Sequence, residues 1–127
     1  AWFTATLPRY KDFRNIFIFL HINPVCLTTY ARDCPDFARL LEQYKNVRAV
    51  FNGHDHQEDG IKTWKGIPYI FDGHFGGNFG VNYHGFRIVE LRNDNSILTY
   101  ILNPTEKINE ASISKTGKVK GDNIIFS

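Results

Sequence analysis

The stretch "VRAVFNGHDH" (residues 47–56) joins an apolar run to two histidines that stand two positions apart. Residues 47–53 are rich in β-branched and aromatic side chains, a composition that is typical of a strand. Side chains two positions apart on extended backbone project to the same face. His54 and His56 are therefore predicted to point the same way at the end of this strand.

The residues upstream of this stretch predict another strand and a helix. "NIFIFLH" (residues 15–21) is a short, continuous apolar run, typical of a strand that is buried on both faces of a sheet. Pro35 suits a first helical turn, and apolar residues recur at helical spacing as far as Lys45. Strand, helix and strand form a βαβ unit, so strands 15–21 and 47–53 are predicted to be parallel.

The residues downstream of the histidines predict hairpins. Gly66 stands between two extended runs, and Asn93, Asp94 and Asn95 stand between two more. The chain is therefore predicted to be α/β with a mixed sheet whose strands are antiparallel from about residue 60 to residue 102. Residues 1–104 are predicted to form one domain portion. Residues 105–127 are predicted to be a polar tail, because apolar residues become sparse there.

Three histidines follow the two predicted parallel strands. His21 ends the first strand, while His54 and His56 follow the second. Open α/β sheets bind their ligands at the carboxyl ends of parallel strands, so these rings are predicted to converge at one edge. A histidine that ends a strand alone is most simply a hydrogen-bonding residue. Three imidazoles gathered together predict a metal site, because imidazole is the commonest protein ligand for metals.

Composition and charge exclude some classes of function. The formal net charge is only +2 and no dense Lys/Arg cluster appears, so no nucleic-acid surface is evident. No apolar stretch of about 18 residues occurs, so no membrane span is predicted. Cys26 and Cys34 are either two free thiols or one disulfide of an oxidising compartment.

The motifs "FLHINP" and "VFNGHDH" together resemble the last two motifs of the calcineurin-like metallophosphoesterases. That family places a histidine at a strand end, often with a proline close behind, ahead of a G-H-x-H motif. Here the matching residues are His21 with Pro24, and Gly53, His54 and His56. The later "GIPYIFDGHFGG" resembles the glycine-rich stretch that commonly follows G-H-x-H. The resemblance covers roughly residues 13–102.

The resemblance implies a fold, an activity and a set of ligands. The implied fold is the C-terminal half of a four-layer α/β/β/α sandwich. The implied activity is binuclear, metal-dependent hydrolysis of a phosphomonoester or phosphodiester substrate through a metal-bridging hydroxide. His21 and His54 would bind one divalent ion and His56 the other. Manganese, iron or zinc suits a set of imidazole and carboxylate ligands.

The chain departs from the family in lacking its first motifs. D-x-H, G-D and G-N-H-D/E supply a bridging aspartate, an asparagine ligand and the catalytic histidine, and none of them stands upstream of His21. We therefore expect that the N-terminal half is missing or is supplied by another chain, and that this chain alone is inactive. The alternative is a non-catalytic half-domain used for interaction or assembly.

Two further expectations concern the surroundings of the G-H-x-H motif. His74, Asn78 and His84 lie in the glycine-rich stretch and either line the substrate pocket or belong to a loop that only crosses near it. Asp55 points away from its neighbouring histidines and is expected to be a hydrogen-bonding residue at the strand end. Gly53 is expected to adopt backbone angles that other residues resist.

Overall fold

The computed structural model describes residues 2–74, 79–80, 85–102 and 124–126, the last segment and residues 101–102 as backbone only. A short helix and a 3₁₀ turn precede the first strand. The elements in chain order are α1 (Trp2–Thr6), the 3₁₀ turn (Leu7–Tyr10), β1 (Ile16–Leu20), α2 (Pro35–Glu42), β2 (Val47–Asn52), β3 (Asp59–Trp64), β4 (Ile67–Asp72), β5 (Phe86–Leu91), β6 (Ile97–Leu102) and β7 (Ile124–Phe126).

The predicted α/β class with a mixed sheet is confirmed. β1 and β2 are parallel neighbours, and their register ends with Leu20 opposite Asn52. The helix between them, α2, begins at the predicted Pro35 and ends at Glu42, with Gln43 as its C-cap, slightly before the predicted end. The βαβ unit therefore forms as the apolar spacing predicts.

The strand β4 departs from the prediction that all strands after the histidines pair in antiparallel fashion. The order of the four-stranded sheet is β1-β2-β4-β3, and β4 pairs in parallel with β2. Two residues, Lys65 and Gly66, connect β3 to β4, with φ of 51° and 80°. So short a connection suits an antiparallel pair. The hairpin was predicted correctly, but its second strand has a parallel partner on its other side.

The core of this sheet lies between its strands and α2. Leu41 and Ala38 of α2 are buried against strand residues that share one face of the sheet, namely Ile18, Val47, Val50, Ile67, Tyr69 and Phe71. Burial raises the pKa of the Tyr69 hydroxyl to about 12, and the nearby Glu42 carboxylate adds to this effect. The helical spacing of the apolar residues thus marks the face of α2 that contacts the sheet.

The strand β1 is buried on one face only, contrary to the prediction. Ile16, Ile18 and Leu20 contact the core, whereas Phe19 points the other way and is 74% exposed. The ring of Phe19 stacks on Phe51 of β2 with ring centroids 4.9 Å apart. β1 has β2 as its one strand neighbour in the described part of the sheet, so its apolar composition belongs to an edge strand.

A second sheet of three strands has the order β5-β6-β7. β5 and β6 form the predicted antiparallel hairpin, with Asn95 at φ 71° in its turn. β7 pairs antiparallel with β6 and belongs to the segment predicted as a polar tail. The boundary predicted at residue 104 stays a prediction. By its internal contacts the chain divides into two compact units: Ala1–Asp55 with Ile61–Phe71, and His56–Gly60 with Asp72–Ser127.

The two cysteines and the length of the helices bear on the remaining expectations. Cys26 and Cys34 are free thiols and both are exposed. In the described residues, no helix has the length and apolar character needed to span a membrane.

Candidate metal-binding site

His21 and His54 are brought together by the ends of two parallel strands. His21 directly follows β1, and His54 lies two residues beyond the end of β2. The backbone N–H of Gly53 donates to the His21 carbonyl at 3.1 Å, which continues the strand pairing past Asn52. The two rings therefore meet edge to face, with centroids 5.0 Å apart and His54 Nδ1 3.2 Å from His21 Nε2.

The distance between these two nitrogens suits a shared ion. Two imidazole nitrogens that each lie about 2.0–2.1 Å from one tetrahedral zinc ion are about 3.3 Å apart. Both histidines are exposed, which leaves room for further ligands. The same 3.2 Å separation also suits a hydrogen bond between the two rings. The separation of the two nitrogens thus matches that of a two-nitrogen chelate.

A buried amide oxygen lies at the same strand end. Asn52 is 4% exposed, and its Nδ2 donates to the Leu20 carbonyl at 3.4 Å. Its Oδ1 is buried and has no hydrogen-bond partner in the described part of the chain. Such an oxygen is costly to bury unless a donor or a cation satisfies it. Asn52 Oδ1 is therefore a buried acceptor at the strand ends that carry His21 and His54.

Asp55 makes a hydrogen bond to the loop that follows β1, in keeping with its predicted role as a hydrogen-bonding residue at the strand end. Its carboxylate is buried and accepts a hydrogen bond from the Tyr30 backbone N–H at 3.4 Å. The Tyr30 ring in turn meets His54 edge-on, with centroids 6.3 Å apart. Tyr30 is a neighbour of the site that sequence reasoning missed, since it lies in a loop without periodicity.

The unusual backbone conformation lies at His54, not at the predicted Gly53. His54 has φ 66°, a left-handed conformation that is uncommon for a residue with a side chain. Gly53 has no positive φ; a Cβ there would lie 3.5 Å from His21 Nδ1, which is ordinary contact. Backbone strain of this kind concentrates at functional sites. Here it accompanies the histidine that faces His21.

His56 belongs to the other compact unit and lies in a stack of three rings. Its ring is nearly parallel to that of Phe79 at 4.5 Å and to that of His74 at 5.6 Å. His56 Nδ1 is buried and has no hydrogen-bond partner among the described residues. His74 is 7% exposed. Phe79 is a contact of His56 that the sequence did not indicate.

Gly80 is the residue that permits this close packing. Its φ is 112°, and a Cβ built on it would lie 2.1 Å from the His56 carbonyl oxygen. No side chain fits at that distance, so only glycine lets the backbone approach His56 so closely. Gly80 therefore lets the backbone pack directly against His56.

The remaining predicted site residues are placed as follows. His74 lies beside His56, whereas Asn78 and His84 lie outside the described residues. Within the described ranges, no group of three or more His, Cys, Asp or Glu side chains is arranged to hold a metal ion. The structure thus brings His21 to His54 and His56 to His74, each pair within its own compact unit.

Asp72, which with Gly73 and His74 spells D-x-H downstream of the G-H-x-H motif, pairs with an arginine. Arg87 Nε donates to Asp72 Oδ1 at 2.5 Å, and the Arg87 side chain is only 3% exposed. Arg87 also donates to Thr99 Oγ1 at 3.3 Å. Burial raises the pKa of the Asp72 carboxyl, while the Arg87 charge and hydrogen bond oppose that rise. Asp72 therefore acts here as the partner of Arg87.

Comparisons with known proteins add a fold likeness. No protein-family model and no curated protein matches the chain. A solved structure of wild-type Vps29 from Entamoeba histolytica, in complex with zinc, is similar to 75% of this chain at 17% sequence identity and a TM-score of 0.45. The match covers 48% of the Vps29 chain, so this chain spans about half the length of that protein. At this identity the likeness concerns the fold alone.

Proposed function

We propose that this chain is the metal-binding portion of a binuclear phosphoesterase, as its motifs imply. The observation that carries the proposal is the position of His21 and His54, whose ring nitrogens lie 3.2 Å apart at the ends of two parallel strands. His21 and His54 would hold one divalent ion. His56, whose Nδ1 has no hydrogen-bond partner among the described residues, would bind a second. The ions would supply Lewis-acid polarisation of a phosphoryl oxygen and a nucleophile derived from water.

The residues of this chain position the ligands in three ways. Pairing of β1 with β2 fixes the separation of His21 and His54. The ring stack with Phe79 and the close approach of Gly80 fix His56. Asp55 fixes the loop that carries Tyr30 beside His54. Because ligands held by packed elements lose little freedom on binding, this arrangement favours metal affinity.

A zinc titration of the chain by calorimetry tests the metal assignment. We expect that His54→Ala weakens zinc affinity by at least about tenfold, which corresponds to about 1.4 kcal/mol. The reason is that the variant removes one of two adjacent nitrogens. Gln57→Ala is the matched control, because Gln57 is exposed and stands close to the same motif. Equal zinc affinities for wild type and His54→Ala would disprove the assignment.

Hydrolysis of an aryl phosphate tests the second half of the proposal. We expect this chain alone, supplied with manganese, to show no turnover above the metal-only background. Catalytic metal sites usually have at least three protein ligands, and His21 with His54 supplies two to one ion. The motif that would supply the catalytic histidine is also absent, and such a general acid typically contributes about 10²–10⁴-fold. Robust turnover, abolished by a chelator, would show that the chain completes its own site.

A further inference from the structure

The edge of β1 is unusual in carrying no protection against pairing. Its five residues are all apolar, and β2 is its one strand neighbour in the described part of the sheet. Exposed edge strands normally carry charged residues, prolines or bulges that prevent another strand from pairing with them. β1 carries no charged residue and no proline, and the irregularity in its pairing with β2 is confined to the step between Ile16 and Phe17. Among the described strands, none pairs with the outer N–H and C=O groups of β1.

A groove runs along this edge. One wall is the whole of β1, and the other is formed by Trp2, Phe3, Thr6, Leu7 and Tyr10 of α1 and the 3₁₀ turn. The groove has a volume of about 340 Å³. A second cavity of about 290 Å³, lined by Tyr10, Phe13, Asn15, Ile16 and Phe17, continues it at the start of β1. We call these two cavities together the β1 groove.

The walls of the β1 groove are aromatic and open to solvent. Three lining residues show this: Trp2 is 75% exposed, Phe13 is 61% exposed, and Phe19 is 74% exposed. Single exposed apolar residues are common, but aromatic side chains gathered along one edge usually mark an interaction surface. The volume and the lining suit large apolar side chains.

The charged side chains beside the β1 groove make one of its ends favourable for an acidic segment of a partner. Residues 9–14 (RYKDFR) contain the exposed cations Arg9, Lys11 and Arg14 against one anion, Asp12. Arg14 stands between Phe13 and Asn15, which both line the second cavity. The rim is therefore basic where β1 begins, while β1 itself carries no charge.

We propose that the β1 groove binds an extended segment of a partner protein, which adds to β1 as a further strand. The partner segment has large apolar side chains at alternate positions, because alternate residues of a strand face the same way and would enter the groove. It has acidic residues at the end that lies beside Arg14. This interaction is independent of the histidine pair and of any metal.

Fluorescence anisotropy with labelled synthetic peptides tests the proposal on the full 127-residue chain. The probe is a short peptide in which valine and phenylalanine alternate with threonine, with glutamates at one end. A second peptide carries the glutamates at its other end, and a third carries lysines in their place. We expect one of the two glutamate peptides to bind more tightly than the lysine peptide. Whether its glutamates stand at the N-terminal or the C-terminal end distinguishes parallel from antiparallel addition to β1.

Charge reversal locates the binding. We expect Arg14→Glu to weaken binding of the preferred glutamate peptide by about tenfold and to strengthen binding of the lysine peptide, because rim charges act through electrostatic complementarity. Lys65→Glu is the matched control, since Lys65 is exposed in the turn between β3 and β4, away from the β1 edge. Arg14 is itself exposed, so its variant is expected to fold.

Three results would overturn the proposal. The first is that no peptide binds, and the second is that Arg14→Glu leaves the preference for glutamate unchanged. The third is that sedimentation shows a dimer which Phe19→Lys dissociates, because the edge would then be occupied by a second copy of the chain.

Discussion

Replacement of Leu41 by alanine is expected to lower the free energy of unfolding by about 2–5 kcal/mol. Leu41 exposes none of its surface and lies at the centre of the core between α2 and the four-stranded sheet. The variant loses the transfer free energy of the buried methyl groups, and it leaves a cavity that the packed strands cannot fill. Urea unfolding followed by circular dichroism measures the change.

Leu91→Ala is the control for the Leu41 variant. Leu91 lies in β5 and is 49% exposed, so the same chemical change removes little buried surface. We expect an effect within about 0.5 kcal/mol. Equal losses for the two variants would mean that α2 does not pack on the sheet as described.

Replacement of Arg87 by alanine is expected to lower the free energy of unfolding by about 3 kcal/mol at neutral pH. Removing one partner of a buried ion pair typically costs about 3–5 kcal/mol, because the other charge stays behind in a poor environment. The Arg87 side chain is 3% exposed, while Asp72 is 27% exposed and keeps some contact with water, so the lower end applies. Arg39→Ala is the control: its pair with Asp36 is 67% and 94% exposed, and such pairs contribute about 0–1 kcal/mol.

The pH dependence of the Arg87 variant distinguishes lost charge from lost packing. Burial already raises the folded-state pKa of Asp72 above 3.8, and Arg87 opposes that rise. A carboxyl with a raised folded-state pKa favours the folded state below its unfolded-state pKa, and this contribution is lost as the pH rises through the folded-state value. Without Arg87, the pKa of the Asp72 carboxyl rises further in the folded state. We therefore expect the loss of unfolding free energy in Arg87→Ala to grow between about pH 4 and pH 7. A deficit that does not change with pH would indicate lost packing alone.

The βαβ unit could be predicted from sequence because its signals are local. The continuous apolar runs of β1 and β2, and Pro35 ahead of apolar residues at helical spacing, define the two strands and α2. The parallel pairing of β4 with β2 could not be predicted, because the pattern of a hairpin does not reveal what lies beyond its second strand. α1 is five residues long, which is too short for periodicity to indicate a helix.

The burial of β1 was predicted incorrectly for a related reason. An apolar run such as Ile16–Leu20 is typical of a strand covered on both faces, but composition does not distinguish a central strand from an edge strand. The exposure of Phe19 depends on the strand order, which only the assembled sheet determines.

The histidine pair was predictable because both members follow the strands that pair. Since parallel strands end at the same edge of a sheet, His21 and His54 had to come close once β1 and β2 were neighbours. The residues around them were not predictable, because Tyr30 and Phe79 lie in irregular segments whose path depends on tertiary contacts. The left-handed backbone falls on His54, although Gly53 beside it is the residue that composition favours for such a conformation.

The insertion of β4 between β2 and β3 has a consequence for the order in which the chain folds. The two-residue connection of Lys65 and Gly66 lets β3 and β4 meet early, since hairpins form within about 1–10 μs. Pairing of β2 with β1 or β4 must close much longer loops, which costs entropy before any contact is gained. The sheet is therefore expected to assemble by docking of a preformed β3–β4 hairpin onto the βαβ unit. Docking of the hairpin, rather than the turn at Lys65 and Gly66, is therefore expected to limit the rate of folding.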